Sequence, residues 1–133
     1  MRHVILASHH HFAQGLADTL EFLGCKNDFK VVCAYVDDQP LAPQVAEIFE
    51  QIDPEDEVLV FTDIMQGSVN QAFVPYMGPK VFLIAGVNVA LVVELCLKFG
   101  ELTVEEIEES VEMARQSMKL INTVQVVDDE DDE

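Results

Sequence analysis

The chain has 133 residues, half of them apolar, and its 25 acidic and 7 basic side chains give a formal net charge of −18. This length and composition indicate a single folded domain with one substantial core. The negative charge disfavours nucleic acid and anionic membranes as partners, because their phosphates would be repelled. No apolar run approaches the ~20 residues that span a bilayer, so we expect a cytoplasmic protein.

Strands and helices are predicted to alternate along the chain. Short apolar, β-branched segments predict strands at residues 4–7, 30–36, 57–63 and 80–85. Apolar residues at helical spacing predict helices near residues 12–23, 45–52, 67–73 and 89–99. Four alternations with short connections favour an α/β fold, a doubly wound, mainly parallel four-stranded sheet flanked by helices.

The C-terminal third carries a last helix and a strongly acidic end. Thr103-Val-Glu-Glu106 has the pattern of a capping box, which predicts the start of a long helix. We expect the apolar side of this helix to include Met118 and Ile121. Residues 123–127 form a candidate fifth strand, and residues 128–133 are predicted to be a disordered acidic tail outside the folded domain of residues 1–127.

The candidate functional residues follow the predicted strands. Ligands of open α/β sheets bind beyond the carboxyl ends of the strands, where this sequence places Ser8-His9-His10, Asp63 with residues 66–68, and residues 86–88. A carboxylate next to a histidine can fix the imidazole tautomer and leave the other ring nitrogen as a nucleophile. Taken alone, His9 and Asp63 are each more often a polar turn or cap residue than a functional one.

No metal or cofactor is predicted. His9, His10 and His11 are consecutive, so their side chains point in different directions and one metal ion cannot easily use all three. We expect His10 and His11 to face solvent at the start of the first helix. Cys25, Cys33 and Cys96 lack CxxC spacing and are predicted to be reduced thiols within apolar segments.

Three motifs together resemble a known family. Ser8-His-His-His-Phe-Ala13, Thr62-Asp-Ile-Met-Gln-Gly-Ser-Val-Asn70 and Gly86-Val-Asn88 are similar to the motifs of mannose-type IIA domains of the bacterial phosphotransferase system, over about residues 2–122. The resemblance implies that His9 accepts a phosphoryl group from HPr and passes it to a IIB component, with Asp63 as its partner. The remaining implied site residues lie on the phosphoryl-binding loops: Ser8, His10, Gly67, Ser68 and Asn70.

The same resemblance implies an assembly. Such domains form homodimers, often by exchange of a C-terminal strand, here residues 123–127, and associate indirectly with membrane components IIC and IID. This chain departs from the family pattern at His10 and Gln66, where glycine is usual, and at Val69, where proline is usual. A diverged, non-catalytic regulatory or binding module is therefore the alternative. A nucleotide- or flavin-binding domain is disfavoured because the sequence has neither GxGxxG nor a Walker lysine.

Overall fold

The computed structural model describes residues 1–124, and a four-stranded sheet forms its centre. All neighbouring strands are parallel, in the order β2-β1-β3-β4. The strands are β1 (Arg2–His9), β2 (Phe29–Ala34), β3 (Glu57–Thr62) and β4 (Val81–Ala85). The predicted fold class is confirmed, and each predicted strand matches an observed one to within a few residues.

Five helices connect and cover the strands. They are α1 (Phe12–Phe22), α2 (Leu41–Glu50), α3 (Ser68–Phe73), α4 (Val89–Leu97) and α5 (Val104–Arg115). One-turn 3-10 helices follow α3 and α5. No helix of residues 1–124 is long and apolar enough to cross a membrane.

The alternation of side chains along β1 divides the core between the two faces of the sheet. Val4 and Leu6 pack with the buried residues of α1, α4 and α5, whereas Ile5 and Ala7 pack with those of α2 and α3. All four side chains are at most 2% exposed. Both faces of the sheet are therefore covered, which explains why its central strands are continuous apolar runs.

The strand order determines where a site can form. From β1 the chain first crosses to β2 on one side of the sheet and then returns to β3 on the other side. The connections thus leave a crevice beyond the carboxyl ends of β1 and β3, which is where ligands bind in sheets of this kind.

The prediction that α5 reaches Ile121 is wrong. The helix ends at Arg115, and Met118 and Ile121 are 87% and 71% exposed. To continue, the helix would need the carbonyl of Ala114 to accept from the N–H of residue 118. That carbonyl instead accepts hydrogen bonds from the backbone N–H and hydroxyl of Ser117 and from the side-chain amide of Asn88.

The candidate fifth strand begins at Thr123, which closes a 3-10 turn. Most of that segment, and the whole predicted tail of residues 128–133, lie outside the described residues.

Candidate functional site

The carboxyl ends of β1 and β3 bring His9 and Asp63 together. Nδ1 of His9 lies 2.9 Å from Oδ2 of Asp63, and the backbone N–H of His9 donates to the same oxygen, also at 2.9 Å. An ionised carboxylate only accepts hydrogen bonds, so Nδ1 carries a proton, and in the neutral imidazole Nε2 presents its lone pair. The two side chains that the sequence singled out therefore meet, although their role in catalysis stays a prediction.

The protein environment keeps Asp63 ionised. Burial acts to raise the pKa of its carboxyl group, but hydrogen bonds from the backbone and the imidazole of His9 oppose this, and the net result is a pKa below the ordinary value. The His9 side chain is 36% exposed, whereas that of Asp63 is only 15% exposed. The carboxylate thus contacts the imidazole from the buried side, and the imidazole itself is accessible to solvent.

Gly67 lets the chain pass close to the His9 ring. A Cβ atom at this position would lie 3.0 Å from Cε1 of His9 and 3.0 Å from Cγ1 of Ile64. The φ angle of Gly67 is −82°, which any residue adopts, so the close contact and not the backbone conformation favours glycine here.

His10 and Gln66 occupy the two positions where the family pattern has glycine. Both have left-handed backbones, with φ of +56° and +66°, and both side chains are exposed. The loops therefore keep a conformation that glycine adopts without strain, even though larger residues have replaced it. The added side chains project into solvent and do not fill the site.

Ser68 and Tyr35 complete the surroundings of the open ring nitrogen. The Ser68 hydroxyl lies 3.4 Å from Nε2 of His9 and 2.6 Å from the Tyr35 hydroxyl. The sequence interpretation missed Tyr35, because it placed this residue inside the second strand. The strand ends at Ala34, and Tyr35 follows it with a left-handed φ of +68°. No motif in the sequence marks this position.

Two other predicted site residues have structural hydrogen bonds. The Ser8 side chain is fully buried, and its hydroxyl accepts from the N–H of Ala13 and donates to the carbonyl of His10. The side-chain carbonyl of Asn70 accepts a hydrogen bond from the Thr62 hydroxyl at 2.9 Å. These residues thus brace the loops after β1 and β3 from below, rather than presenting their side chains beside Nε2.

The segment after β4 contributes no polar side chain to this centre. Asn88 caps α4 by accepting from the N–H of Leu91, and its amide group donates to the carbonyl of Ala114. Within residues 1–124, no group of three His, Cys, Asp or Glu side chains is arranged to hold a metal ion. The histidines at positions 10 and 11 instead pack ring against ring, with centroids 4.7 Å apart.

Solved structures of known proteins share this fold. A Klebsiella pneumoniae protein provisionally described as a phosphoenolpyruvate-dependent sugar phosphotransferase system (PTS) permease is 35% identical, with a TM-score of 0.84 over 92% of both chains. A mannose/sorbose specific IIA subunit from Enterococcus faecalis is 21% identical, with a TM-score of 0.75 over 95% of this chain and 98% of that one.

A third structure is the PTS IIA protein associated with the fucose utilization operon of Streptococcus pneumoniae, which is 24% identical with a TM-score of 0.72 over 91% of this chain and 93% of that one. The last two similarities bear on the fold alone. No curated protein sequence matches the chain significantly. The family model for the PTS system fructose IIA component, EIIA-man, matches residues 3–115. The chain therefore belongs to the EIIA-man family of phosphotransferase system IIA components, as its motifs predicted.

Proposed function

We propose that this chain accepts a phosphoryl group from HPr on Nε2 of His9 and passes it to a IIB component for carbohydrate uptake. The observation that supports this proposal most directly is the 2.9 Å contact between Nδ1 of His9 and Oδ2 of Asp63. That contact fixes the tautomer in which Nε2 is the nucleophile. Membership of the family supports the broader role of a sugar PTS phosphoryl carrier.

The transfer needs no proton movement within this protein. The lone pair of Nε2 attacks phosphorus, and the N–P bond of the donor histidine breaks as the new bond forms. The donor imidazole keeps the electron pair of the broken bond. The ring of His9 becomes positively charged, and the ionised Asp63 stabilises that charge through its hydrogen bond to Nδ1. Passage to the IIB component repeats the same exchange with His9 as the donor.

Hydrogen-bond donors for the phosphoryl oxygens are available beside Nε2. The first N–H groups of a helix have no partner within it, and α3 begins at Ser68, whose hydroxyl lies 3.4 Å from Nε2. Because phosphoryl transfer depends mainly on positioning and on stabilisation of charge, we expect these donors and Asp63 to be the groups that stabilise the transferred phosphoryl group.

The edge of the sheet that carries His9 also exposes apolar side chains. Phe12, Val36, Ile64 and Met65 are between 40% and 69% exposed, and they lie on the segments that follow β1, β2 and β3. Apolar residues around a reactive side chain are typical of protein docking surfaces. We infer that HPr and the IIB component bind at this edge in turn, in the cytoplasm.

Labelling with phosphoenolpyruvate, enzyme I and HPr tests the proposal. We expect an acid-labile, base-stable phosphohistidine in the wild type and none in His9→Ala. His10→Ala and His11→Ala are matched controls on neighbouring exposed histidines, and they should keep most of the label. Undiminished labelling of His9→Ala would contradict the assignment of the nucleophile.

The alternative is a regulatory or binding module that has lost transfer, and the residues at positions 10, 66 and 69 motivate it. This alternative predicts no labelling of the wild type by the HPr of the same organism, together with a stable complex with another partner. Adjacent genes for IIB, IIC and IID components would instead favour sugar uptake and indirect association with the membrane components.

We further propose that the protein is a homodimer. Strand β4 lies at an edge of the sheet, and its residues Val81, Phe82 and Leu83 are only partly buried within one chain. An open, apolar edge strand is available to pair with another strand. Residues 123–127 of a second copy are the segment that we expect to cover it.

A further inference from the structure

Three side chains from three different segments form a line that ends at the reactive nitrogen. The Tyr35 hydroxyl lies 2.6 Å from Oγ of Ser68, and that oxygen lies 3.4 Å from Nε2 of His9. The rings of Tyr35 and His9 are also neighbours, with centroids 5.7 Å apart. The first distance is typical of a strong hydrogen bond between hydroxyl groups, whereas the second is long and weak. Ser68 is therefore held mainly by Tyr35.

The direction of these hydrogen bonds follows from the tautomer of His9. In the neutral imidazole, which is the form that can attack phosphorus, Nδ1 donates to Asp63 and Nε2 accepts, so the hydroxyl proton of Ser68 points towards Nε2. Ser68 has a single proton, so its oxygen accepts from the Tyr35 hydroxyl. A hydroxyl group that accepts one hydrogen bond becomes a better donor in the next.

The backbone of Tyr35 supports a specific role for the side chain. Its φ of +68° is in the left-handed region, which is unfavourable for a residue with a bulky side chain, and the residue is 53% exposed. Burial of the ring therefore does not explain why the chain tolerates this conformation. The conformation does carry the hydroxyl across to Ser68 at the start of α3, 33 positions further along the sequence.

We infer that Tyr35 is a positioning residue for phosphoryl transfer, which acts through Ser68 on the group bound to His9. This inference rests on the proposed function. Before transfer, Ser68 donates weakly to the free lone pair of Nε2. After transfer that lone pair forms the N–P bond, and the same hydroxyl proton turns to a phosphoryl oxygen, while Tyr35 continues to donate to Ser68. Neither hydroxyl group gains or loses a proton in the step.

The test compares Tyr35→Phe, Ser68→Ala and the double variant with the wild type. Tyr35→Phe removes only the hydroxyl and keeps the ring, so any contribution of the ring to docking is preserved. Tyr76→Phe is the matched control, since the Tyr76 ring stacks on Phe49 with centroids 4.3 Å apart and has no hydrogen bond to the site. The rate of phosphorylation of His9 by phospho-HPr is measured for each variant.

We expect Tyr35→Phe to slow phosphorylation about 5- to 10-fold, as the loss of one well-formed hydrogen bond would, and Tyr76→Phe to have no effect. Ser68→Ala should slow it at least as much, and adding Tyr35→Phe to Ser68→Ala should cause no further loss. A wild-type rate for Tyr35→Phe, or an undiminished effect of Tyr35→Phe in the Ser68→Ala background, would overturn the inference.

A second measurement separates this inference from the proposed function. The ¹⁵N resonance of Nε2 in unphosphorylated His9, recorded at one fixed pH, should shift in both Tyr35→Phe and Ser68→Ala but not in Tyr76→Phe. If the wild type takes no label, the proposed function and the transfer role of Tyr35 both fail. An unchanged Nε2 resonance in Tyr35→Phe, with normal labelling of the wild type, overturns the inference about Tyr35 and leaves the proposed function standing.

Discussion

At the scale of the residue, a single carboxylate oxygen determines the geometry of the site. Oδ2 of Asp63 accepts from both the backbone and the side chain of His9, so it fixes the end of β1 and the orientation of the ring together. These hydrogen bonds outweigh the cost of burying the carboxyl group and lower its pKa. The ionised form of Asp63 therefore contributes to stability as well as to the chemistry.

The stability that Asp63 contributes should depend on pH. Because its pKa is lowered in the folded state, the contribution is complete above the pKa of the unfolded chain, about 3.9, and is lost as the pH falls through the folded value. We expect the free energy of unfolding of the wild type to fall more steeply below about pH 4 than that of Asp63→Asn. Urea denaturation at a series of pH values measures this difference.

Asp38→Asn is the control for that experiment, since it removes one negative charge from an exposed turn residue. Its pH profile below about pH 4 should follow that of the wild type more closely than the profile of Asp63→Asn does. Parallel profiles for the wild type and Asp63→Asn would show that the pair with His9 adds no stability.

The sequence predicted some site residues and not others for physical reasons. His9 and Asp63 could be found because parallel strands end at one edge of a sheet, so residues at the carboxyl ends of the neighbouring strands β1 and β3 lie close together. Tyr35 could not be found, because its position depends on a left-handed backbone conformation, and no neighbouring glycine in the sequence indicates such a conformation. Ser8 was predicted to lie on a phosphoryl-binding loop, but it is the second-last residue of β1 and its side chain is buried, which no sequence motif indicates.

At the scale of the element, one end of α5 could be predicted from the sequence and the other could not. The start of α5 was predictable, because both halves of its capping box are local: Thr103 accepts from the N–H of Glu106, and the Glu106 side chain accepts from the N–H of Thr103. Its end was not predictable, because the carbonyl of Ala114 is partly occupied by Asn88 from the start of α4. A distant amide therefore helps to determine where the helix stops.

Arg2 joins the start of β1 to the segment that connects α4 and α5. Its guanidinium donates to the carbonyls of Leu95, Lys98 and Gly100 and to the carboxylate of Glu57, which in turn accepts from the N–H of Leu102. The side chains of Arg2 and Glu57 are only 14% and 12% exposed. One guanidinium thus binds the carbonyl of Leu95 in the last turn of α4 and the carbonyls of Lys98 and Gly100 in the segment that follows this helix.

Replacing Arg2 by Leu should be strongly destabilising. The carbonyls after α4 would lose their donor and Glu57 would keep a charge without its partner, so we expect the free energy of unfolding to fall by about 3 kcal/mol. Arg115→Leu is the matched control, because its contact with Glu112 is exposed and should contribute less than about 0.5 kcal/mol. Equal effects of the two substitutions in urea denaturation would contradict this account.

At the scale of the whole molecule, the two edge strands of the sheet, β2 and β4, differ in the segments that follow them. The β2 edge leads through Tyr35 to the site, whereas the β4 edge is followed by the Asn88 cap of α4. Beside the end of β4, a cavity of about 540 Å³ is lined mainly by residues of the β4–α4 connection and of α5. The apolar side chains of Met118, Leu120 and Ile121 are exposed on the segment that leads out from α5. These features make the β4 side of the molecule suitable for association with a second copy.

The proposed exchange of residues 123–127 predicts that dimerisation depends on this short segment. In sedimentation equilibrium at micromolar concentrations, the full chain should have twice its monomer mass of 14.9 kDa. A chain ending at residue 127, which lacks only the acidic end, should remain a dimer, whereas one ending at residue 122 should be a monomer, because the edge of β4 would lose its pairing strand. A monomeric full chain would exclude the dimer. A dimer that persists without residues 123–133 would show that the chains associate through another surface.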